Sequence, residues 1–453
     1  MSTNSSTDLP EVEQPTGEKM SAGSLSMAWY GLVSAMFFIY IGASLAQAYG
    51  TIDTLIGLAI TIVIYGAINR ILAGYALRSG LTVAQFSRTL LGRKGAVLAT
   101  LIFAATAIYY AVFEGAILGY AFQAQFGGPI QLWYALVVLY TLPLIAGGIQ
   151  RWLDKINGWL LPIYWGGLLT AVIWASIAHP GGNSWLTHST GPLPFTAGGP
   201  GWLATCAAFM GVWILMMYTV DFASLGRAKD VKVHQRYTFG WLFYTLAFGA
   251  NSLIGIYLTF TIPGAEATET GVAGALVQLM GPLGLLVIFV SQTRINTANY
   301  ALGISNLKEF GSRALGLKLP GLAWVFIGAV IIYLLMLLPV VQYLLLALSW
   351  QGALVTGWVA IALVHIRYEK KFSLQPDNPN LPDRTFPAFN AAGVSAWVIS
   401  AAVGIAMVQS GSAWGANLGV FITPVLAAAI YAIWNPSARA KRHHDALASV
   451  KQL

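Results

Sequence analysis

The sequence predicts an all-α polytopic membrane protein with about twelve transmembrane helices, and three observations predict it. Of its 453 residues 57% are hydrophobic and only 9% charged, where a soluble domain carries about 25% charged residues, so a water-facing surface is nearly absent. Apolar runs of roughly 20 residues, the length that crosses a hydrocarbon core, recur along the whole chain. Lys and Arg alternate from loop to loop, as they do when successive helices cross a bilayer and the basic residues stay on one side.

Residues 1–25 carry Asp8, Glu11, Glu13 and Glu18 among Ser, Thr and Pro and lack the basic and apolar regions of a cleaved signal, so they read as a disordered cytoplasmic tail. Apolar runs then cover about 28–48, 52–74, 96–124, 131–148 and 157–178, next 202–220, 238–262, 282–308, 321–339 and 341–366, and finally 388–408 and 415–434. The basic loops hold Arg78, Arg88, Arg93 and Lys94, then Arg151 and Lys155, then Arg227, Lys229, Lys232 and Arg236, then Arg313 and Lys318, then Arg367, Lys370, Lys371 and Arg384. The tail adds Arg439, Lys441 and Arg442. The opposite loops, including 179–201 and 263–271, contain no Lys or Arg. Both termini therefore fall on the cytoplasmic side of a cell (inner/plasma) membrane. The net charge of +8 reflects orientation and not a nucleic-acid partner, because no surface interleaves basic and aromatic residues.

Within the loops, Val83 to Leu91 reads as a short cytoplasmic helix and Gly271 to Met280 as a short external one. Residues 373–387, rich in Pro, Asn and Asp, form the clearest linker. The expected units are the tail 1–25, a ten-helix core 26–372, the linker 373–387, two appended helices 388–434 and a tail 435–453. Cys206 is the single cysteine and the six histidines are scattered, which excludes a disulfide framework and gives no cofactor or metal site.

A charge at the centre of a membrane helix costs roughly 2.5 kcal/mol or more, so each polar group inside a span needs a reason. Glu114 lies well inside the third span. It is either a buried neutral or paired carboxyl, or a substrate or proton site facing the bundle interior, the reading favoured here. Tyr110 lies one turn earlier on the same face, where an aromatic ring beside a carboxylate suits a flat heterocycle with N–H donors. In the eighth span Gln292, Asn296, Asn299 and Gly303 fall at i, i+4, i+7 and i+11 and form one polar stripe. Amides carry both donors and acceptors and match the edge of a heterocyclic base; the alternative for each is an interhelical hydrogen bond.

Arg294, near the middle of the eighth span, has no acid close in sequence, and buried charges are usually paired. Glu114 is the acid left deep in the membrane, so a pair between the two is a hypothesis, weakened because Arg294 points away from the Asn299 side of a regular helix. Gly42 in the first span and Gly211-Val212-Trp213 in the sixth permit helix breaks whose freed carbonyls bind a cation, or else simply allow close packing. Trp213 is a stacking platform or a core aromatic. Asp221, at a cytoplasmic helix end, reads as a structural cap or salt-bridge partner.

Several stretches together resemble the nucleobase cation symporter family, which includes cytosine permeases, purine-cytosine permeases and hydantoin and allantoin transporters. They are Ser79-Gly80-Leu81-Thr82 with Gly92-Arg93-Lys94-Gly95, Thr219-Val220-Asp221-Phe222 with Gly226-Arg227, and Asn296-Thr297-Ala298-Asn299-Tyr300. The resemblance spans about residues 25 to 440. It implies a LeuT-type fold, with helices one to five and six to ten as inverted repeats and two C-terminal helices appended. It also implies a base held between Tyr110 and Trp213, with Glu114 as polar partner and Asn299 as the eighth-helix amide. Glu114 stands where family members often have Gln, which when ionised favours bases with two adjacent donors, such as cytosine or an aminopurine. Sodium-coupled members have two hydroxyl residues where this chain has Thr293-Arg294, so the resemblance favours proton coupling or sodium independence, with Glu114 as the proton carrier.

The expected function is thus uptake of a nucleobase or related heterocycle by a proton-coupled, or else sodium-coupled, symporter in the lipid bilayer. The alternative within transport is a carrier of another small solute, such as allantoin, a hydantoin, a thiamine precursor or an amino acid. A membrane-embedded enzyme needs a nucleophile with its base, or a metal site, and a channel needs rings of charge or pore loops. The sequence shows neither pattern.

Overall fold

The structure, a computed structural model, describes residues 19–146, 150–180, 184–191, 197–338, 343–371, 373–374, 376–377 and 379–450. Residues 1–18 of the expected tail lie outside the described residues, as do the side chains of Arg151, Lys155, Arg439, Lys441 and Arg442. The described helices are α1 (Ala22–Tyr30), α2 (Met36–Tyr49), α3 (Thr51–Ser79), α4 (Val83–Leu91), α5 (Arg93–Phe126), α6 (Ile130–Ala146), α7 (Gln150–Ala178), α8 (Ser184–Thr187), α9 (Gly201–Met210) and α10 (Ile214–Ser224). They continue as α11 (Val231–Val233), α12 (Trp241–Tyr244), α13 (Asn251–Thr261), α14 (Glu269–Met280), α15 (Pro282–Ala314), α16 (Gly321–Met336), α17 (Leu344–Lys371), α18 (Ala391–Val408) and α19 (Ala413–Val450).

Among the described residues these helices correspond in order to the twelve apolar runs. The first span is α1 with α2, the second α3, the third to fifth α5 to α7, the sixth α9 with α10, and the seventh α11 to α13. The eighth to twelfth are α15 to α19. By length and composition seven described helices can each cross a membrane, and the two bent pairs, α1 with α2 and α9 with α10, bring the number to nine. α6 and α16 are apolar but shorter. α15, with 33 residues, is long enough to cross at about 1.5 Å per residue; Gln292, Arg294, Asn296 and Asn299 are what lower its hydropathy. Exposed apolar side chains line up on single helix faces, Ile52, Ile56, Ile60 and Val63 in the second span and Leu322, Phe326, Val330 and Leu334 in the ninth. Such stripes are the lipid-facing sides of the bundle.

The first and sixth spans, which hold the same place in each set of five, are both broken, each with a bend of 43°. Between them the third and eighth spans run along one another. Small residues allow this close approach: a Cβ added at Gly303 would stand 3.0 Å from Ile108, and one at Gly328 of the ninth span 2.6 Å from Ile304.

One end of the bundle is held by caps. The second span stops at Gly80, whose φ of 71° is the left-handed conformation glycine supplies. α4 opens with a capping box between Thr82 and Gln85. Asp221 accepts a hydrogen bond from the Val83 N–H at 2.7 Å and so caps the same helix from the sixth span. At the start of the described chain the Met20 N–H donates to the Leu225 carbonyl at 2.9 Å and Lys19 Nζ to the Ser224 carbonyl at 2.7 Å. Ser21 then caps α1.

The linker 373–387 closes over this end. Arg88 of α4 and Arg313 at the end of the eighth span both bind Asp383, Arg88 lies over the Phe386 ring at 5.2 Å, and Thr89 donates to Asp377 at 2.7 Å. The Arg93 and Lys94 N–H groups donate to the Pro387 and Ala388 carbonyls, each at 2.9 Å. Burial alone would raise the Asp383 carboxyl, but the Arg88 hydrogen bond and the charges of Arg313, Arg88 and Arg93 hold it below its usual value. A depressed carboxyl contributes stability that is complete above its unfolded pKa and is lost as pH falls through the folded value. Asp383→Asn is therefore expected to lower thermal stability by about 1 kcal/mol or less near neutrality, since the side chain is partly exposed. The gap to wild type should close as the melting measurement is repeated below about pH 4; a gap that persists in acid would remove the carboxylate as its source.

Candidate functional site

Breaking a helix frees carbonyls on one side and N–H groups on the other. In the first span α1 ends at Tyr30, a 3₁₀ turn covers Gly31–Ser34, and α2 starts at Met36 after Ala35 turns the chain at ψ 123°. Each freed carbonyl is met. Arg294 Nη2 donates to the Tyr30 carbonyl at 3.0 Å, Asn251 Nδ2 to the Val33 carbonyl at 2.7 Å, and the Ser291 hydroxyl to the Ser34 carbonyl. The Ser34 hydroxyl donates to the Gly31 carbonyl at 2.9 Å. Across the break, the main-chain N–H groups of Phe37 and Met36 face the Glu114 carboxyl, and so does the Gln292 side chain.

A helix carries partial negative charge at its C-terminal end and partial positive charge at its N-terminal end. Arg294 thus sits on the negative end of the first half and Glu114 on the positive end of the second. This answers the open question of an ion pair: among the described residues no salt bridge joins Glu114 to Arg294. The reason is geometric. Gln292 faces Glu114, and Arg294, two residues on, points about 200° away at roughly 100° per residue. Arg294 is 2% exposed, its Nε donates to Asn157 Oδ1 of the fifth span at 3.1 Å, and its Nη1 has no partner among the described residues.

Two further expectations change. Gly42 does not open the first span, which breaks at Gly31–Ala35; it sits inside α2, where an added Cβ would stand 2.3 Å from the Ser252 Cβ of the seventh span. It is a close-packing residue. Thr293 does not face the break either, because its hydroxyl donates to the Phe289 carbonyl at 2.7 Å and meets the Tyr140 hydroxyl of the fourth span at 3.3 Å. The sixth-span break does fall where Gly211-Val212-Trp213 suggests, with Trp213 immediately before α10.

Around the breaks lie the remaining predicted residues, all buried: Tyr110, Glu114, Trp213, Gln292, Asn296 and Asn299. Tyr110 packs edgewise against Phe37 of α2 with ring centres 6.0 Å apart, and Trp213 against Tyr65 at 6.2 Å. Asn296 lies against Gly115, where an added Cβ would be 3.4 Å from Asn296 Nδ2. Tyr218 of the sixth span donates to Asn299 Oδ1 at 3.3 Å. Among the described residues, Glu114 Oε2, Gln292 Oε1, both Asn296 amide atoms, Asn299 Nδ2 and Trp213 Nε1 have no hydrogen-bond partner. A buried polar atom without a partner costs about 1–3 kcal/mol, and these atoms on the third, sixth and eighth spans make up the candidate site.

Sequence reasoning missed Asn157, Asn251, Ser291, Tyr218 and Gln351. Asn251-Ser252 was open to the rule applied to the eighth span, since both are polar residues inside an apolar run. Ser291, Tyr218 and Gln351 are likewise polar residues inside apolar runs, but their roles show only through partners on distant spans.

The architecture resembles that of Mhp1. The inward-facing conformation of Mhp1 matches with a TM-score of 0.72 at 12% identity, covering 91% of this chain and 91% of that one. Mhp1 is a nucleobase-cation-symport-1 family transporter, and its closed conformation with bromovinylhydantoin bound matches with a TM-score of 0.68 at 15% identity over 91% and 92%. A Na+-coupled sialic acid symporter in a substrate-bound outward-open state matches with a TM-score of 0.61 at 13% identity over 95% and 92%. No protein-family model and no curated protein matches the sequence. The chain therefore has the LeuT-type fold, shared at the level of structure.

Proposed function

We propose that the protein is a secondary active transporter, not an enzyme, that takes up a nucleobase or related heterocycle by alternating access, with protons as the coupling ion. It works in a cell membrane with both termini cytoplasmic. One observation carries the reading: buried donors and acceptors without partners, on Glu114, Gln292, Asn296, Asn299 and Trp213, cluster about two broken spans. Broken helices near the midplane are where carriers of this architecture hold substrate and ion. The bromovinylhydantoin bound to Mhp1 supports a heterocycle for this chain too.

The chemistry of Glu114 narrows the substrate. An ionised carboxylate only accepts hydrogen bonds, whereas a protonated carboxyl offers an O–H donor beside a C=O acceptor. That pair complements a ring nitrogen next to an amino group, the edge of cytosine and of aminopurines, so the protonated form, and not the ionised one, carries the preference. Substrate and proton then enter together. Protonation also removes the negative charge that faces the Met36 and Phe37 N–H groups, which loosens α2 at its hinge. Arg294 supports sodium independence, since its guanidinium already satisfies a carbonyl freed by the first-span break, the kind of group that coordinates sodium in such carriers.

Uptake by cells expressing the protein, measured across cytosine, adenine, hypoxanthine, uracil, allantoin and hydantoins, tests the substrate class. Cytosine or an aminopurine should be preferred. The sialic acid symporter on the same fold supports the second reading, a different small solute, and failure of every heterocycle to enter would favour it. Tyr110→Ala should weaken binding of the preferred base by about 1–3 kcal/mol, the weight of one aromatic stacking platform, or about 5- to 150-fold. Wild-type affinity in that variant, read by equilibrium binding, would remove the ring from the site.

A further inference from the structure

The sixth-span break has a partner that the proposed site does not yet include. Gln351 of the tenth span is 7% exposed. Its Nε2 donates to the Gly211 carbonyl at 2.8 Å and stands 3.4 Å from the Tyr110 hydroxyl. The tenth span lies tight against the break on both sides of Gln351: a Cβ added at Gly211 would be 2.9 Å from the Leu348 Cβ, and one at Gly352 would be 3.2 Å from the Gly211 Cα. A break leaves carbonyls that the helix itself cannot satisfy, and here a side chain from another span satisfies one of them. Trp213 follows two residues later in the same non-helical link.

We infer that Gln351 is a positioning residue that ties the sixth-span break to Tyr110 and so fixes the distance between the third-span and sixth-span aromatics that hold the substrate. One amide reaches both partners only when the third, sixth and tenth spans are in register. Leucine has similar bulk but no donor, so Gln351→Leu frees the Gly211 carbonyl and the Tyr110 hydroxyl at once. The link through Tyr110 needs its hydroxyl and not its ring, which Tyr110→Phe isolates. The inference rests on the proposed reading of these residues as a heterocycle site.

A double-mutant cycle on equilibrium binding of radiolabelled cytosine, with adenine as second probe, tests it in purified protein. Gln351→Leu and Tyr110→Phe should each raise Kd by about three- to tenfold, the weight of one net hydrogen bond. The double variant should be no weaker than the weaker single, because both remove the same link. Melting temperatures of the four proteins, measured without ligand, separate positioning from folding: binding losses in variants that melt with wild type support the inference. Independent, multiplying losses in Kd would overturn it, as would binding losses that merely follow loss of stability. Failure of wild type to bind either base would instead overturn the heterocycle reading beneath it.

Discussion

Glu114→Gln is expected to bind cytosine or an aminopurine and to exchange it across the membrane, yet to lose accumulation driven by a proton gradient. The glutamine amide presents an N–H donor beside a C=O acceptor, the same face as a protonated carboxyl, so the substrate edge is still complemented. The amide also carries no charge towards the Met36 and Phe37 N–H groups, which places the variant permanently in the protonated condition of the site. What it cannot do is release a proton. Counterflow of labelled base should survive within a few-fold of wild type with a flat pH profile, while uphill uptake falls to background. An unchanged pH profile with intact accumulation would remove Glu114 as the proton carrier.

Arg294→Ala should abolish transport for a different reason. Its removal leaves the Tyr30 carbonyl and Asn157 Oδ1 without their donor in a buried place, at about 1–3 kcal/mol each, and takes the positive charge from the negative end of α1. If the guanidinium stands in for a bound cation, the variant gains a sodium response that wild type lacks, with part of the lost uptake returning as sodium is raised. The double reversal Glu114→Arg with Arg294→Glu should stay inactive, because the two side chains never meet and each would then oppose its own helix end. Rescue by that double reversal would show a direct pair and contradict the geometry.

The contrast between Glu114 and Arg294 shows what could be read in advance. Twelve apolar runs, the alternation of Lys and Arg, the helices α4 and α14 and the sixth-span break at Gly211-Val212-Trp213 all follow from local composition. The eighth-span stripe follows from periodicity. Side-chain charges alone leave the Glu114–Arg294 pair open, because Arg294 bonds a carbonyl at one end of the broken helix and Glu114 faces the N–H groups at the other, and no residue type reveals the charge of a helix end. Gly42 was misjudged because glycine serves close packing and helix breaking alike. The true break, Gly31-Leu32-Val33-Ser34-Ala35, contains no proline and is stabilised by Asn251, Ser291 and Arg294 from spans more than two hundred residues away in the chain. Gln351 was invisible for the same reason.

The most direct measurement is cytosine uptake into proteoliposomes with proton and sodium gradients imposed one at a time. An inward proton gradient in sodium-free buffer should drive accumulation above equilibrium, and an inward sodium gradient at equal pH should drive none. Accumulation that requires sodium, or no accumulation of any base under either gradient, would contradict the account.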